Sequence, residues 1–196
     1  MPGGRPFGDK PVWLGYDPNK QGRDDAALVV VAPPEAPGGK FRVLEKHRLN
    51  GLDFAGQADF IKSVAARYVV RDISIDTTGH GQAVWELVSK WFPLARRIDY
   101  SVSTKTALVI KGQNVFRQER IEFDARWSDV MASFMAIRPA LTGSQKGVTY
   151  VARRNGQIGH ADVAWAILHA LSNEPLDAGS STAPGRGQRV RVRVTQ

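Results

Sequence analysis

The first fifty residues contain three short apolar runs separated by turns, and this pattern restricts the fold more than any other feature. The runs cover residues 12–16, Ala26–Ala32 and Lys40–Leu49. Short apolar segments that are rich in β-branched residues favour strands over helices. Asp-Pro-Asn after the first run and the loop Pro33–Gly39 after the second are typical of tight connections. Because short connections join antiparallel strands, we expect an antiparallel meander.

The hydrophobic period changes after this meander. Apolar residues between positions 54 and 68 repeat at helical spacing, and Asp53 is a candidate N-cap. Strands and helices alternate afterwards: strands at Ile73–Asp76, Arg96–Tyr100 and the end of Thr142–Arg154; helices at Gly81–Phe92, Thr104–Phe116, Trp127–Ile137 and Ala161–Leu171; a turn at Asn155-Gly156. This order predicts an α/β fold with a mixed sheet, in which parallel strand–helix units follow the antiparallel strands and helices flank the sheet.

Length and composition predict one globular domain. A chain of 196 residues with 42% hydrophobic content suits a single core. We expect a flexible lead-in at residues 1–10, the domain at residues 11–174 and a basic, disordered tail at residues 175–196. No cysteine is present, which excludes disulfides and thiolate metal sites. The sequence shows neither a signal peptide nor an apolar run of membrane-spanning length, so we expect no membrane partner.

Three aspartates stand at strand ends or helix starts in separate parts of the chain. Asp17 and Asp76 each follow a predicted strand, and Asp162 lies in the first turn of the last helix. Taken singly, they could be a turn residue, an N-cap and a carboxylate favoured by the helix dipole. If the first and fourth strands pair in parallel, however, Asp17 and Asp76 become neighbours at one sheet edge, where sites form in open α/β sheets. The last helix could bring Asp162 to the same edge.

Clustered carboxylates predict a site for hard divalent cations. Three carboxylates close together repel one another, and a cation removes that penalty. Oxygen ligands without cysteine suit Mg²⁺ or Mn²⁺ rather than zinc. Two such ions can activate water and stabilise the leaving oxygen of a phosphodiester. His160 and Asp24 are candidate accessory residues, although a capping role and a solvated turn position are the plain alternatives.

Six segments resemble the nuclease domain of the large terminase subunit of tailed bacteriophages. They are spread over residues 12 to 171 and read GYDPN, DDAALVVVAPP, SIDTTGHGQAVWELV, STKTALVIKGQ, TYVARR and GHADVAWAILHAL. The resemblance implies an RNase H-like fold and a two-metal endonuclease that cuts double-stranded DNA during genome packaging. It makes Asp17, Asp76 and Asp162 the metal-binding triad, with His160 and Asp24 as accessory catalytic residues.

The resemblance also implies partners and a location. A large terminase works with an ATPase motor domain, a small terminase subunit and the portal, in the cytoplasm of the infected bacterial host. This chain has no G-x-x-x-x-G-K-[ST] phosphate loop. It therefore looks like the isolated C-terminal domain.

A net charge of +8 fits a polyanionic partner. We expect Lys105, Lys111, Arg153 and Arg154 to contact DNA phosphates without reading sequence. Two alternatives to a packaging nuclease stay open. One is a non-catalytic DNA-binding or docking module, and the other is a different RNase H-like nuclease, such as a junction resolvase or a ribonuclease H.

Overall fold

A six-stranded mixed sheet forms the centre of the protein. The computed structural model describes residues 4–18, 25–143, 147–152 and 161–174. The strands are β1 (Pro11–Asp17), β2 (Ala26–Ala32), β3 (Phe41–Leu49), β4 (Val69–Asp76), β5 (Arg96–Ile98) and β6 (Ile121–Glu122). Their order across the sheet is β5-β4-β1-β2-β3-β6.

The strand directions confirm the predicted sheet. β1 pairs antiparallel with β2, and β2 pairs antiparallel with β3, as the short connections required. β4 then lies parallel to β1, and β5 lies parallel to β4. The first and fourth strands are therefore parallel neighbours, which is the condition that brings Asp17 and Asp76 to one edge.

Helices cover both faces of the sheet. They are α1 (Phe54–Ala65), α2 (Gly81–Ser89), α3 (Val102–Arg117), α4 (Ser128–Ala136) and α5 (Asp162–Ala170), followed by a 3-10 turn at Leu171–Asn173. α1 and α2 pack on one face, and α5 packs on the other with α3 and α4 beside it. Asp53 caps α1 as predicted, because its Oδ1 accepts the backbone N–H of Gly56 at 2.7 Å.

The strand β2 is buried on both faces, which explains why its sequence is apolar without alternation. All seven of its residues are buried. Leu28 and Val30 join the core under α1 and α2, whereas Val29 and Val31 join the core under α5. A strand with helices on both faces needs apolar side chains at every position.

The strands β7 (Ile137–Leu141) and β6 were not predicted from the sequence. β7 pairs with β8 (Val148–Ala152) in a separate antiparallel hairpin, of which only β8 was expected. Pro139 removes a backbone donor from β7, which weakens the strand signal in the sequence. The two-residue β6 is too short to leave any periodic pattern. In the part of the chain that the structure describes, no helix is both long and apolar enough to span a bilayer.

Candidate active site

The contact between α5 and β1 is possible because position 15 is glycine. A Cβ on Gly15 would lie 1.9 Å from the carbonyl oxygen of Ala166 and 2.7 Å from the backbone nitrogen of Ala170. Any side chain there would push the helix off the sheet. This close approach holds α5 beside the end of β1, two residues before Asp17.

Asp17 and Asp76 end two neighbouring parallel strands at the same level. The last paired residues of β1 and β4 are Tyr16 and Ile75, so each aspartate lies one residue beyond its pair. Tyr16 and Ile75 both face the α1/α2 core. Because side chains alternate along a strand, Asp17 and Asp76 lie on the opposite face, the one that α5 covers.

Asp162 completes the acidic cluster from the first turn of α5. The pKa of Asp17 is raised well above its usual range, first by burial and then by the charges of Asp162 and Asp76. All three carboxylates therefore lie within electrostatic reach of one centre. Asp76 is 7% exposed, whereas Asp17 and Asp162 are partly exposed.

Asp76 is oriented by the loop that follows β4. Its Oδ1 accepts the backbone N–H of Thr78 at 2.8 Å. Burial raises the pKa of Asp76, and the hydrogen bonds from Thr78 oppose that rise. Asp76 is thus an Asx-turn residue as well as a member of the cluster, rather than the N-cap of α2, a position that His80 occupies.

A buried tyrosine–histidine pair supports the backbone beside Asp17. His169 is fully buried, and its Nδ1 lies 3.0 Å from the carbonyl oxygen of Tyr16. Because a carbonyl only accepts, Nδ1 carries the proton. Burial lowers the pKa of His169 to about 3, so the ring is neutral near pH 7 and its Nε2 accepts the hydroxyl proton of Tyr100 at 2.6 Å.

Tyr100 borders all three acids and supports a lysine. The pKa of Tyr100 is raised well above its usual range by burial and then by the charges of Asp17, Asp76 and Asp162. The ammonium group of Lys105 lies 4.7 Å from the centre of the Tyr100 ring. The positive charge of Lys105 opposes the upward shifts in the pKa of Asp17 and of Asp76.

The donor set fits a hard divalent cation, although the carboxylates do not yet form a coordination sphere. Within the described residues, no group of three or more His, Cys, Asp or Glu side chains could hold a metal ion as it stands. The positive charge of Lys105 is not enough to balance the cluster. Burial and the charges of Asp162 and Asp76 still raise the pKa of Asp17 well above its usual range. A cation that drew the three carboxylates together would remove their mutual repulsion.

The other residues predicted for the site have different outcomes. Lys111, predicted to bind DNA, is half-buried, and its Nζ donates to the carbonyl oxygen of Ser172 at 2.5 Å. Lys111 lines a groove beside β5, whereas Lys105 lies on a different part of α3. The remaining predicted residues lie outside the described ranges: Asp24, Arg153, Arg154 and His160.

The sequence analysis missed Tyr100 and His169 as members of the site. His169 could have been found from its spacing, because positions 162, 166 and 169 fall on one face of a helix. Tyr100 left no comparable signal, since it lies in an irregular segment between β5 and α3.

The chain is similar to proteins of tailed phages. It is 50% identical over 177 residues to "Terminase, ATPase subunit" of Escherichia phage P2, and 38% identical over 176 residues to "Probable terminase, ATPase subunit" of Haemophilus phage HP1 (strain HP1c1). These alignments cover 90% and 88% of this chain but 30% and 28% of the relatives, so the chain spans less than a third of their length.

A solved structure shares the fold. The large terminase nuclease from the thermophilic phage G20c with bound magnesium superposes with a TM-score of 0.70 at 20% identity. The match covers 87% of this chain and 84% of that one. Residues 14–174 match the family model described as "Terminase RNaseH-like domain", which confirms the RNase H-like fold predicted from the sequence. The chain belongs to this family.

Proposed function

We propose that this domain is a metal-dependent endonuclease that cleaves double-stranded DNA during phage genome packaging. The observation that carries the proposal is the convergence of Asp17, Asp76 and Asp162, each from a different element, at one edge of the sheet. Burial and the charges of Asp162 and Asp76 raise the pKa of Asp17, and a carboxylate in such a place would only weaken the fold if it bound no cation. The magnesium bound in the similar G20c structure supports a divalent ion as the missing charge.

The three aspartates would hold Mg²⁺ or Mn²⁺, in our proposal two ions with DNA present. When bound, such ions supply Lewis acidity and an activated water for phosphodiester hydrolysis. The protein's own part is to orient the carboxylates: Thr78 fixes Asp76, and the α5 contact at Gly15 brings Asp162 to Asp17.

The neighbouring side chains have supporting roles. The hydroxyl proton of Tyr100 is committed to His169, so this tyrosine positions the β1 backbone rather than transferring protons. Lys105 offsets part of the negative charge of the cluster. Its ammonium group would also meet a phosphate that enters the site. His160 and Asp24 remain proposed accessory residues.

Duplex DNA is the proposed substrate because the chain carries a net charge of +8 and Lys105 lies beside the acidic cluster. Lys105, Lys111, Arg153 and Arg154 are the proposed phosphate contacts, and such contacts bind without strict sequence preference. In the infected bacterial cytoplasm, we propose that the domain works with an ATPase motor, a small terminase subunit and the portal. The names of the two longer relatives, which both refer to an ATPase subunit, support the motor.

Cleavage of plasmid DNA tests the proposal. The chain should nick and linearise supercoiled plasmid with Mn²⁺ or Mg²⁺, and EDTA should abolish cutting. Asp17→Ala, Asp76→Ala and Asp162→Ala should each reduce the rate at least a hundredfold, because each removes a metal ligand. Asp59→Ala, an exposed acid on α1 across the sheet, should cut like the wild type.

Three results would contradict the proposal. Cutting that survives all three site substitutions would remove the acidic cluster from the mechanism. A wild-type chain that retards duplex DNA in a gel but never cuts it with either metal would favour the non-catalytic binding module. A chain that cuts four-way junctions but not plasmid would instead favour a resolvase.

A further inference from the structure

A groove with three cationic side chains lies beside the acidic cluster at the edge of the sheet. β5 is the edge strand, and the groove between β5 and α3 has a volume of about 580 Å³. We call it the β5–α3 groove. Its charged lining residues are Arg96, Arg97, Lys111 and Asp99, and Ser103 and Thr104 add hydroxyl groups from the first turn of α3.

The groove begins one strand away from the proposed metal site. Asp76 pairs with Ile98 of β5, and Ser74 pairs with Arg96. Parallel strands lie about 4.8 Å apart with a rise of about 3.3 Å per residue, which puts the Cα of Arg96 roughly 8 Å from that of Asp76. Ile98 packs against Leu108 and Trp165, so Arg96, two residues before it, lies on the same face as the acids.

Arg96 is only weakly neutralised by the protein. Its side chain is 44% exposed, and its guanidinium reaches Asp72 at 4.0 Å, the outer limit of an ion pair. Asp72 is meanwhile engaged by the hydroxyl of Ser74 at 2.7 Å. Arg96 therefore keeps most of its donors available for an external acceptor.

Arg96 and Lys111 are like charges that line the same groove. The pKa of Lys111 is lowered by burial and then by the charge of Arg96, and the charge of Glu174 opposes this shift. Glu174 is already paired with Arg120 at 2.6 Å. An anion between Arg96 and Lys111 would relieve their repulsion.

The acidic member of the groove is paired with a neighbouring arginine. Asp99 is 67% exposed, accepts the hydroxyl of Thr77 at 2.5 Å and lies 3.4 Å from Arg97. The charges of Asp99 and Arg97 offset each other, so the remaining positive charge belongs to Arg96 and Lys111, and the hydroxyls of Ser103 and Thr104 line the same groove. Cations and hydroxyls along an open groove are the groups that contact the phosphates of a nucleic-acid backbone.

We propose that the β5–α3 groove binds the phosphodiester backbone of the DNA strand next to the cut, with Arg96 as its main phosphate contact. This inference rests on the proposed nuclease function and adds a path for the substrate. Because Arg96 and Asp76 are so close, a phosphate at Arg96 belongs to the same stretch of strand as one at the acidic cluster, within a few nucleotides of it. The groove positions the DNA and takes no part in bond breaking.

Duplex binding measured against salt concentration tests the groove. The full chain, kept in EDTA so that it cannot cut, is titrated into a labelled DNA duplex of random sequence. Arg96→Gln should weaken binding roughly three- to tenfold at moderate salt and lower the slope of log K against log salt by about one. Arg96→Glu should weaken binding further, because a carboxylate there repels the phosphate.

Arg71→Gln is the matched control. Arg71 is an exposed arginine earlier in β4, five residues before Asp76, and its loss should leave the salt slope unchanged. Lys111→Gln also removes the hydrogen bond from Lys111 to the carbonyl oxygen of Ser172. The unfolding temperature of this variant is therefore compared with that of the wild type before its DNA binding is interpreted. The Arg96 variants carry the test because the side chain of Arg96 is exposed.

The outcomes separate the groove from the function. Weaker binding and a smaller slope for Arg96→Gln, with Arg71→Gln unchanged, support the groove. If the wild type cuts plasmid with Mn²⁺ while Arg96→Gln and Arg96→Glu bind like Arg71→Gln, the groove proposal is wrong and the nuclease proposal stands. If the wild type neither binds the duplex nor cuts plasmid, both proposals fail together.

Discussion

Asp17 and Asp76 occupy equivalent positions on adjacent parallel strands, each one residue past the pair formed by Tyr16 and Ile75. Nothing in the backbone separates two carboxylates placed in this way. Burial, and then the charges of Asp162 and Asp76, make the ionised form of Asp17 costly in the protein without metal. Under our proposal, the arrangement sacrifices stability for the capacity to bind a cation.

Asp17→Asn should stabilise the metal-free chain while abolishing cleavage. Because the pKa of Asp17 is raised on folding, the folded state holds its proton longer than the unfolded state, and stability falls as pH rises through that window. The variant lacks this loss, so its unfolding temperature in EDTA should exceed that of the wild type by a few degrees at neutral pH. A gain on the order of 1 kcal/mol corresponds to about 2–4 °C.

The same experiment carries its own controls. The difference between wild type and Asp17→Asn should shrink toward acid pH, where the wild-type carboxyl is protonated. Added Mg²⁺ should raise the unfolding temperature of the wild type but not of the variant, whereas Asp59→Asn should behave like the wild type. We expect the stability gain of Asp17→Asn over the wild type to be larger at neutral pH than at acid pH. A gain that is smaller at neutral pH would argue against the repulsive cluster.

Gly15→Ala should damage both the fold and the site. The added Cβ cannot coexist with the Ala166 carbonyl 1.9 Å away, so α5 must move outward and carry Asp162 with it. Overpacking of this kind costs about 1–3 kcal/mol, or roughly 2–12 °C in unfolding temperature for a domain of this size. Differential scanning calorimetry and plasmid cleavage measure the two effects.

Gly143→Ala is the control for this substitution, since nothing lies within 4 Å of a Cβ at that position. If Gly15→Ala keeps full stability and cleavage, then α5 does not fix Asp162 in place, and our account of the site geometry is wrong.

Tyr100→Phe should lower stability and slow cleavage without changing the metal ligands. It deletes the hydroxyl that donates to Nε2 of His169 and leaves that nitrogen buried and unpaired. Such a loss costs about 1–3 kcal/mol. Urea unfolding and cleavage rates at saturating Mn²⁺ measure it, and unchanged values in both would show that the pair does not support β1.

His169 should remain neutral in solutions near pH 7. Burial lowers the pKa of His169 to about 3, whereas an unfolded histidine titrates near 6.5. Between these two pKa values, the histidine is protonated in the unfolded state but not in the folded state. The stability of the folded state is therefore lost as pH falls from about 6.5 to about 3. Nitrogen NMR of the ring should show protonated Nδ1 and bare Nε2 at pH 6. A doubly protonated ring there would contradict this assignment.

The pair formed by Arg120 and Glu174 should anchor the last described residues to the domain. Both side chains are more than 90% buried, and Arg120 donates to Glu174 at 2.6 Å. Glu174→Ala leaves a buried guanidinium without its partner, which costs about 3–5 kcal/mol. Glu119 is an exposed acid that directly precedes Arg120 in the sequence. Glu119→Ala should lower the free energy of unfolding far less, as measured by the same chemical denaturation. Equal losses would show that this ion pair does not anchor Glu174.

Local sequence patterns predicted most of the secondary structure. The unbroken apolar run of β2, the helical period of α1 and the cap at Asp53 depend on neighbouring residues, and all three are observed. Hairpin strand β7 and the short β6 were missed, because Pro139 masks the first and the second has no room for a pattern.

The sequence by itself determined which residues carry charge and where along the chain each carboxylate follows a strand or opens a helix. Only the tertiary structure decided that these points meet, since parallel pairing of β1 with β4 joins residues that are 59 positions apart (76 minus 17). It also decided that His169 faces Tyr16 and that Arg96 and Lys111 line the same groove. Such contacts depend on how helices and strands pack in space, and a periodic pattern along the chain records which face of an element is buried but not what covers it.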